Sequence, residues 1–208
     1  MKAWSKTLII ATAAATLWFA PRNSAADLPK IGAPAPDFTA TDLQGKTQHL
    51  SDFKGKYVVL EWHNQGCPFV KKHYDSGNMQ KLQKDLTAQG VVWLTVISSA
   101  PGKQGFVTPQ EETKYLTEKQ AAPSDVLLDP DGALGHLYGA KTTPHMFVID
   151  ERGVLVYAGA IDDKPSTDSA DINGATNYVR AAYQEAKSGK PVSVTATAPY
   201  GCSVKYKD

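Results

Sequence analysis

Cysteine is scarce: the 208 residues hold only Cys67 and Cys202, which allows one internal bridge at most and excludes a disulfide-built scaffold. An excess of either charge is also lacking. Twenty-two basic residues against 21 acidic ones leave a formal net charge of +1, so no broad basic surface awaits nucleic acid. No run of 18 apolar residues exists, which argues against a spanning helix. Internal repeats are missing too. What remains is 42% hydrophobic, 9% aromatic and 21% charged, the make-up of a globular chain long enough to bury a sizeable core in one domain.

The chain opens on a short basic stretch with Lys2 and Lys6. An apolar run from Thr7 to Ala20 follows, and small residues stand at Ser24-Ala25-Ala26. This three-part layout predicts a secretory signal over residues 1–26. Because that leader holds Lys2, Lys6 and Arg22 and no acid, cleavage after Ala26 leaves 182 residues of net charge −2. A periplasmic or secreted location is expected, with no stable membrane span after cleavage, in a setting where disulfides persist.

Along the remaining chain, residues 37–41 read as a short strand, residues 43–47 as a hairpin about Gly45 and residues 51–55 as one helical turn. Tyr57–Trp62 and Val91–Ile97 are nearly unbroken β-prone runs, the pattern of strands covered on both faces. Between them the spacing of Val70, Tyr74, Met79, Leu82 and Leu86 predicts a helix from Pro68 to about Gln89, kinked at Gly77. Thr108-Pro109-Gln110-Glu111 carries a capping box with proline at the first helical position. Strand 125–129, helix 133–138, hairpin 145–160, a surface connection over 161–174 and a helix over 177–187 complete the reading. The order predicts an α/β fold with a central mixed sheet flanked by helices, an N-terminal hairpin and a C-terminal helical extension. The expected organisation is one domain over residues 27–160, with residues 161–208 packed on it as a helix and a tail.

Cys67 stands where a buried strand hands over to a helix. There the unpaired N–H groups and the macrodipole favour thiolate, with Lys71 and Lys72 one turn later. The thiolate is the form that attacks disulfides and peroxides, so Cys67 is the candidate nucleophile, expected to lie within reach of incoming molecules.

Gly32-Ala33-Pro34-Ala35-Pro36-Asp37-Phe38, Asp42-Leu43-Gln44-Gly45 and Leu50-Ser51-Asp52-Phe53-Lys54-Gly55-Lys56, followed by a buried strand running into a cysteine, resemble the thioredoxin-fold redoxins. Gly66-Cys67-Pro68-Phe69-Val70-Lys71 and the ending Tyr200-Gly201-Cys202-Ser203 resemble the peroxiredoxin-like branch of the alkyl hydroperoxide reductase and thiol-specific antioxidant family. The resemblance implies a thioredoxin-like fold, with Cys67 as the first cysteine of a C-x-x-C motif whose second position holds Val70. It implies a cis-proline loop at Thr143-Pro144 that pairs with substrate. Glu61, six residues before Cys67, takes the place of a buried carboxylate that moves the proton as a mixed disulfide forms and resolves. Cys202 could resolve a Cys67 sulfenate or mixed disulfide; a permanent staple, an intermolecular bridge and a free thiol are the alternatives. Expected partners are thiol and disulfide proteins or small peroxides, and an external thiol reductant. No cofactor is needed, because the electrons sit on sulfur.

Peroxiredoxins carry proline and threonine or serine where this chain has Leu60 and Asn64. Asn64 is kept as a substrate-binding candidate for the hydrogen bond it can donate. An arginine for the peroxide oxygens is missing, leaving Arg152 in a turn and Arg180 in a late helix, so disulfide exchange is expected ahead of peroxide reduction. A rival reading is a thioredoxin-fold copper carrier, with His63 and Cys67 as ligands and a distal His145, His73 or His136.

Overall fold

The computed structural model describes Met1 and residues 28–207; the expected leader and its cleavage point fall outside the described residues. Strands β1 (Thr39–Asp42), β2 (Thr47–His49), β3 (Val58–Trp62), β4 (Val92–Ile97), β5 (Asp125–Leu128), β7 (His145–Ile149) and β8 (Leu155–Gly159) form one sheet in the order β2-β1-β5-β4-β3-β7-β8. The three central strands β5, β4 and β3 run parallel, while β7, β8, β1 and β2 add antiparallel edges. A two-residue strand β6 (Thr142–Thr143) pairs separately with β9 (Cys202–Ser203).

Every residue of β3, β4 and β7 is buried, as their largely apolar runs require when both faces are covered. Alternation along the strands then sorts side chains into two cores. On one face Val59, Trp93, Met146 and Val148 pack against α1 (Pro68–Asp75), α2 (Asn78–Thr87) and α5 (Tyr178–Lys187). On the other, Leu60, Trp62, Leu94, Phe147 and Ile149 pack with Leu134 and Tyr138 of α4 (Ala133–Tyr138). Helix α3 (Pro109–Lys119) begins on the capping box read from the sequence, with Glu111 N–H donating to Thr108 Oγ1.

Two expectations are corrected. The single kinked helix over 68–89 is two helices, because Gly77 adopts φ 76° and caps the second, a turn that left-handed backbone makes easy only for glycine. The connection over 161–174 is not wholly surface. Ile161 and Asp162 are buried at its start, and a 3₁₀ turn (Ser169–Gly174) follows. Among the described residues, no helix is long and apolar enough to cross a membrane.

Candidate active site

The site lies at the C-terminal edge of the parallel strands, where α/β sheets gather ligands. Leaving β3, the chain turns through residues 64–67, closed by the Cys67 N–H donating to Asn64 O at 2.9 Å. Pro68 then opens α1, where its missing N–H costs nothing. Cys67 is thus the N-cap residue, with Val70 N–H facing its sulfur short of a full capping hydrogen bond. The Thr143-Pro144 bond is cis, as the resemblance implied, and Thr143 O lies 3.0 Å from Cys67 Sγ. The second sulfur is closer still: Cys202 Sγ is 2.7 Å from Cys67 Sγ, both being free thiols.

The structure overturns one expectation here. Cys67 is not open to solvent; its exposure is 0%. The reason is the tail. Thr143 pairs with Cys202 and Thr142 with Ser203 in antiparallel register, and Val204 N–H donates to Lys141 O at 3.0 Å, so residues 200–204 lie across the sulfur. Gly201 makes this approach feasible, since its φ is 138° and a Cβ there would collide with the Thr143 carbonyl oxygen.

The two thiols are held apart in acidity. Burial pushes Cys67 up, but the Cys202 side chain, the Thr143 side chain and the Val70 N–H outweigh it and hold the thiol below its usual range. The contact with the Thr143 carbonyl favours the protonated form, because S–H can donate to it and thiolate cannot. Cys202 goes the other way, pushed up to about 11 by burial and by its hydrogen bond and charge interaction with Cys67. The pair therefore has one thiol suited to attack and one that holds its proton.

Glu61 sits on the same face of the sheet as Val59, fully buried. Tyr74 OH donates to its Oε1 at 2.9 Å, while Trp93 Nε1 (2.8 Å), Gln83 Nε2 (3.1 Å) and Thr95 Oγ1 (3.4 Å) donate to Oε2. Such a donor set compensates the burial of a carboxylate. His63 Nδ1 is 3.6 Å from Glu61 Oε1, and its ring packs on Tyr74 and Tyr115. Neither ring nitrogen has a hydrogen-bond partner among the described residues; the same holds for both carboxylate oxygens of Glu112 and for Tyr115 OH.

Asn64 has a different task from the substrate binding expected of it. It is buried, its Oδ1 accepts from Gly66 N–H at 2.9 Å, and its Nδ2 donates to Gln104 O at 3.2 Å, so it ties the loop together. The residues of the copper reading have separate neighbours. His63 lies beside Glu61, and His145 Nδ1 accepts from Lys141 N–H at 3.3 Å with its ring against Phe147. Among the described residues, no group of three or more histidine, cysteine, aspartate and glutamate side chains is placed to hold a metal ion. His136 stacks on Tyr206.

The sequence reading missed Tyr200 and Asp162. The Tyr200 hydroxyl donates to Asp162 Oδ1 and lies 3.4 Å from His73 Nε2. Its ring rests on Phe69 (centroids 5.8 Å apart) and under Lys72 Nζ (5.8 Å). One signal was present: Asp162 directly follows the small and apolar run Ala158-Gly159-Ala160-Ile161.

The AhpC/TSA family model matches residues 31–158, more than half of the chain, a span that contains Cys67 and Thr143-Pro144 and stops short of Cys202. The chain belongs to the AhpC/TSA family, a redoxin family, and has the thioredoxin-like fold. Thiol:disulfide interchange protein DsbE of Escherichia coli (strain K12) is 29% identical over 167 residues, covering 76% of this chain and 83% of that protein. Thioredoxin-like protein YneN of Bacillus subtilis (strain 168) is 27% identical over 144 residues, covering 68% and 79%. The crystal structure of an uncharacterized conserved protein from Geobacillus kaustophilus matches with a TM-score of 0.72 at 26% identity, covering 87% of this chain and 94% of that one. The protein is accordingly an oxidoreductase.

Proposed function

We propose that this is an exported thiol–disulfide oxidoreductase in which Cys67 attacks and Cys202 resolves. The observation that carries the reading is the 2.7 Å approach of the two free sulfurs beside Pro144, with the lower-pKa thiol at the helix N-cap. With the tail lifted, Cys67 thiolate attacks a substrate disulfide and forms a mixed disulfide, and the departing sulfur leaves with the electron pair and takes a proton. Cys202 then loses its proton and attacks Cys67 Sγ. The substrate's second thiolate is expelled, and a Cys67–Cys202 disulfide remains. An external dithiol returns two electrons and two protons. The proposed role of Glu61 is to exchange protons with the sulfur pair, and that of Thr143-Pro144 to pair with the substrate backbone.

Disulfides are favoured over peroxides as substrates. The two arginines of residues 28–207 are engaged elsewhere: Arg152 with Asp150 at 2.7 Å and Arg180 with Asp85 at 2.8 Å. Export is supported by the leader pattern. No metal or organic cofactor enters the scheme.

Mass spectrometry of the reduced protein after a small disulfide oxidant tests the pairing. A loss of two hydrogens is expected, with a Cys67–Cys202 cross-linked peptide, and Cys202→Ser should instead accumulate the Cys67 adduct. An unmodified Cys67 under conditions that oxidise Cys202 would overturn the assignment. Hydrogen peroxide in place of the disulfide should give the bridge slowly; a fast reaction through a sulfenate would restore peroxide as a principal substrate.

A further inference from the structure

The tail lies where the proposed exchange chemistry needs its substrate to lie. Strand β9 takes up the backbone edge of β6 immediately before Pro144, and its cysteine, not one from outside, meets Cys67. Tyr200 stands two residues before Cys202 across the bend at Gly201 (φ 138°), and with Cys202 at the sulfur the Tyr200 ring reaches the pocket formed by Phe69, Lys72, His73 and Asp162. This pocket offers an apolar ring contact, a cation above the ring and a buried acceptor for a phenolic hydroxyl. Lys72 is itself fixed by donating to Lys164 O at 2.8 Å, and His73 by Asn78 at 2.8 Å, so the pocket walls are held by contacts independent of the tail.

We propose that the β6 edge together with this pocket is a binding site for an extended polypeptide carrying an aromatic residue, tyrosine best, two positions before its reacting cysteine, and that residues 200–203 occupy it as an internal stand-in. The proposal rests on the exchange reaction above and adds its substrate class. Backbone pairing accepts many sequences, so discrimination falls to the side-chain pocket. A buried aromatic ring with a satisfied hydroxyl is worth enough to separate tyrosine from alanine by about tenfold in rate.

The test uses the full-length chain as Tyr200→Ala/Cys202→Ser, which empties the pocket and leaves Cys67 as the single thiol. Three peptides, Tyr-Gly-Cys, Phe-Gly-Cys and Ala-Gly-Cys, each carry thionitrobenzoate in disulfide linkage on the cysteine. Cys67 thiolate attacks the peptide sulfur, a Cys67–peptide disulfide forms, and thionitrobenzoate leaves with the electron pair and is read by its absorbance. The expected order is Tyr, then Phe, then Ala, spanning about tenfold. Adding Phe69→Ala should collapse the ratio of the Tyr to the Ala rate, and adding Asp162→Leu separately the ratio of the Tyr to the Phe rate, each ratio being read within one variant. With Cys202→Ser alone, where Tyr200 fills the pocket, all three peptides should react more slowly. Equal rates for the Tyr and Ala peptides, with normal release from dithionitrobenzoate, would overturn the site. A Tyr preference that survives both pocket variants would do the same. No release from any disulfide by the folded protein would overturn the exchange reaction and this site with it.

Discussion

Two sulfurs 2.7 Å apart differ in acidity because each sees the other from a different side. Cys67 receives hydrogen bonds that favour its anion, while Cys202 is buried next to that anion and keeps its proton. Alkylation followed across pH by mass spectrometry should therefore show Cys67 reacting with a midpoint below the ordinary thiol value and Cys202 only near pH 11. At Glu61 four donors converge on one carboxylate. Glu61→Leu would leave Tyr74, Gln83, Trp93 and Thr95 unpaired in the core, so urea unfolding should show a loss of about 3 kcal/mol or more, and Glu61→Gln a smaller one. Glu112 presents the opposite case. Burial raises its pKa, opposed by His63 and assisted by Glu61, and neither oxygen has a partner among the described residues. A raised carboxyl contributes stability that is present below its unfolded pKa and lost as pH rises through the folded one. Glu112→Gln should thus unfold at higher urea than the parent at neutral pH and lose that advantage in acid.

The two-residue strand β9 decides whether Cys67 is covered. Its approach to β6 depends on Gly201, where any Cβ meets the Thr143 carbonyl. Gly201→Ala should lift the tail, raise the rate of Cys67 alkylation by on the order of tenfold or more, and slow formation of the internal disulfide. A rate unchanged from the parent would mean the tail opens by another route. Elements of this kind separate what was legible in the sequence from what was not. β3 and β4 announced themselves because burial on both faces demands nearly unbroken apolar runs, and α3 because its capping box is local. Cys67 and Thr143-Pro144 were legible as motifs on either side of the sheet edge. The cover over Cys67 was not, since a two-residue pairing between segments 59 residues apart leaves no periodicity to read. The Tyr200–Asp162–His73 contact was hidden for the same reason, being made by single residues from three distant elements.

At the scale of the whole molecule, two of the buried imidazoles, His73 and His145, favour the neutral form. Burial pushes His73 down to about 4, with Asp162 opposing and Lys72 assisting, and pushes His145 down to about 4, assisted by Lys141. A base with a depressed pKa contributes stability that is present above its unfolded value and lost as pH falls toward the folded one. The unfolding midpoint should therefore drop between pH 6.5 and about 4, and His145→Phe should flatten that slope by its share. His73 also touches the tail through Tyr200, so acid that unfolds the parent should uncover Cys67 over the same range.

Tethering gives the β6–β9 pairing a further meaning. A segment of the same chain rebinds its groove at an effective concentration on the order of millimolar, whatever the protein's own dilution. In the proposed exchange reaction an outside polypeptide would have to outcompete that local population, which would turn away weak and casual thiol partners.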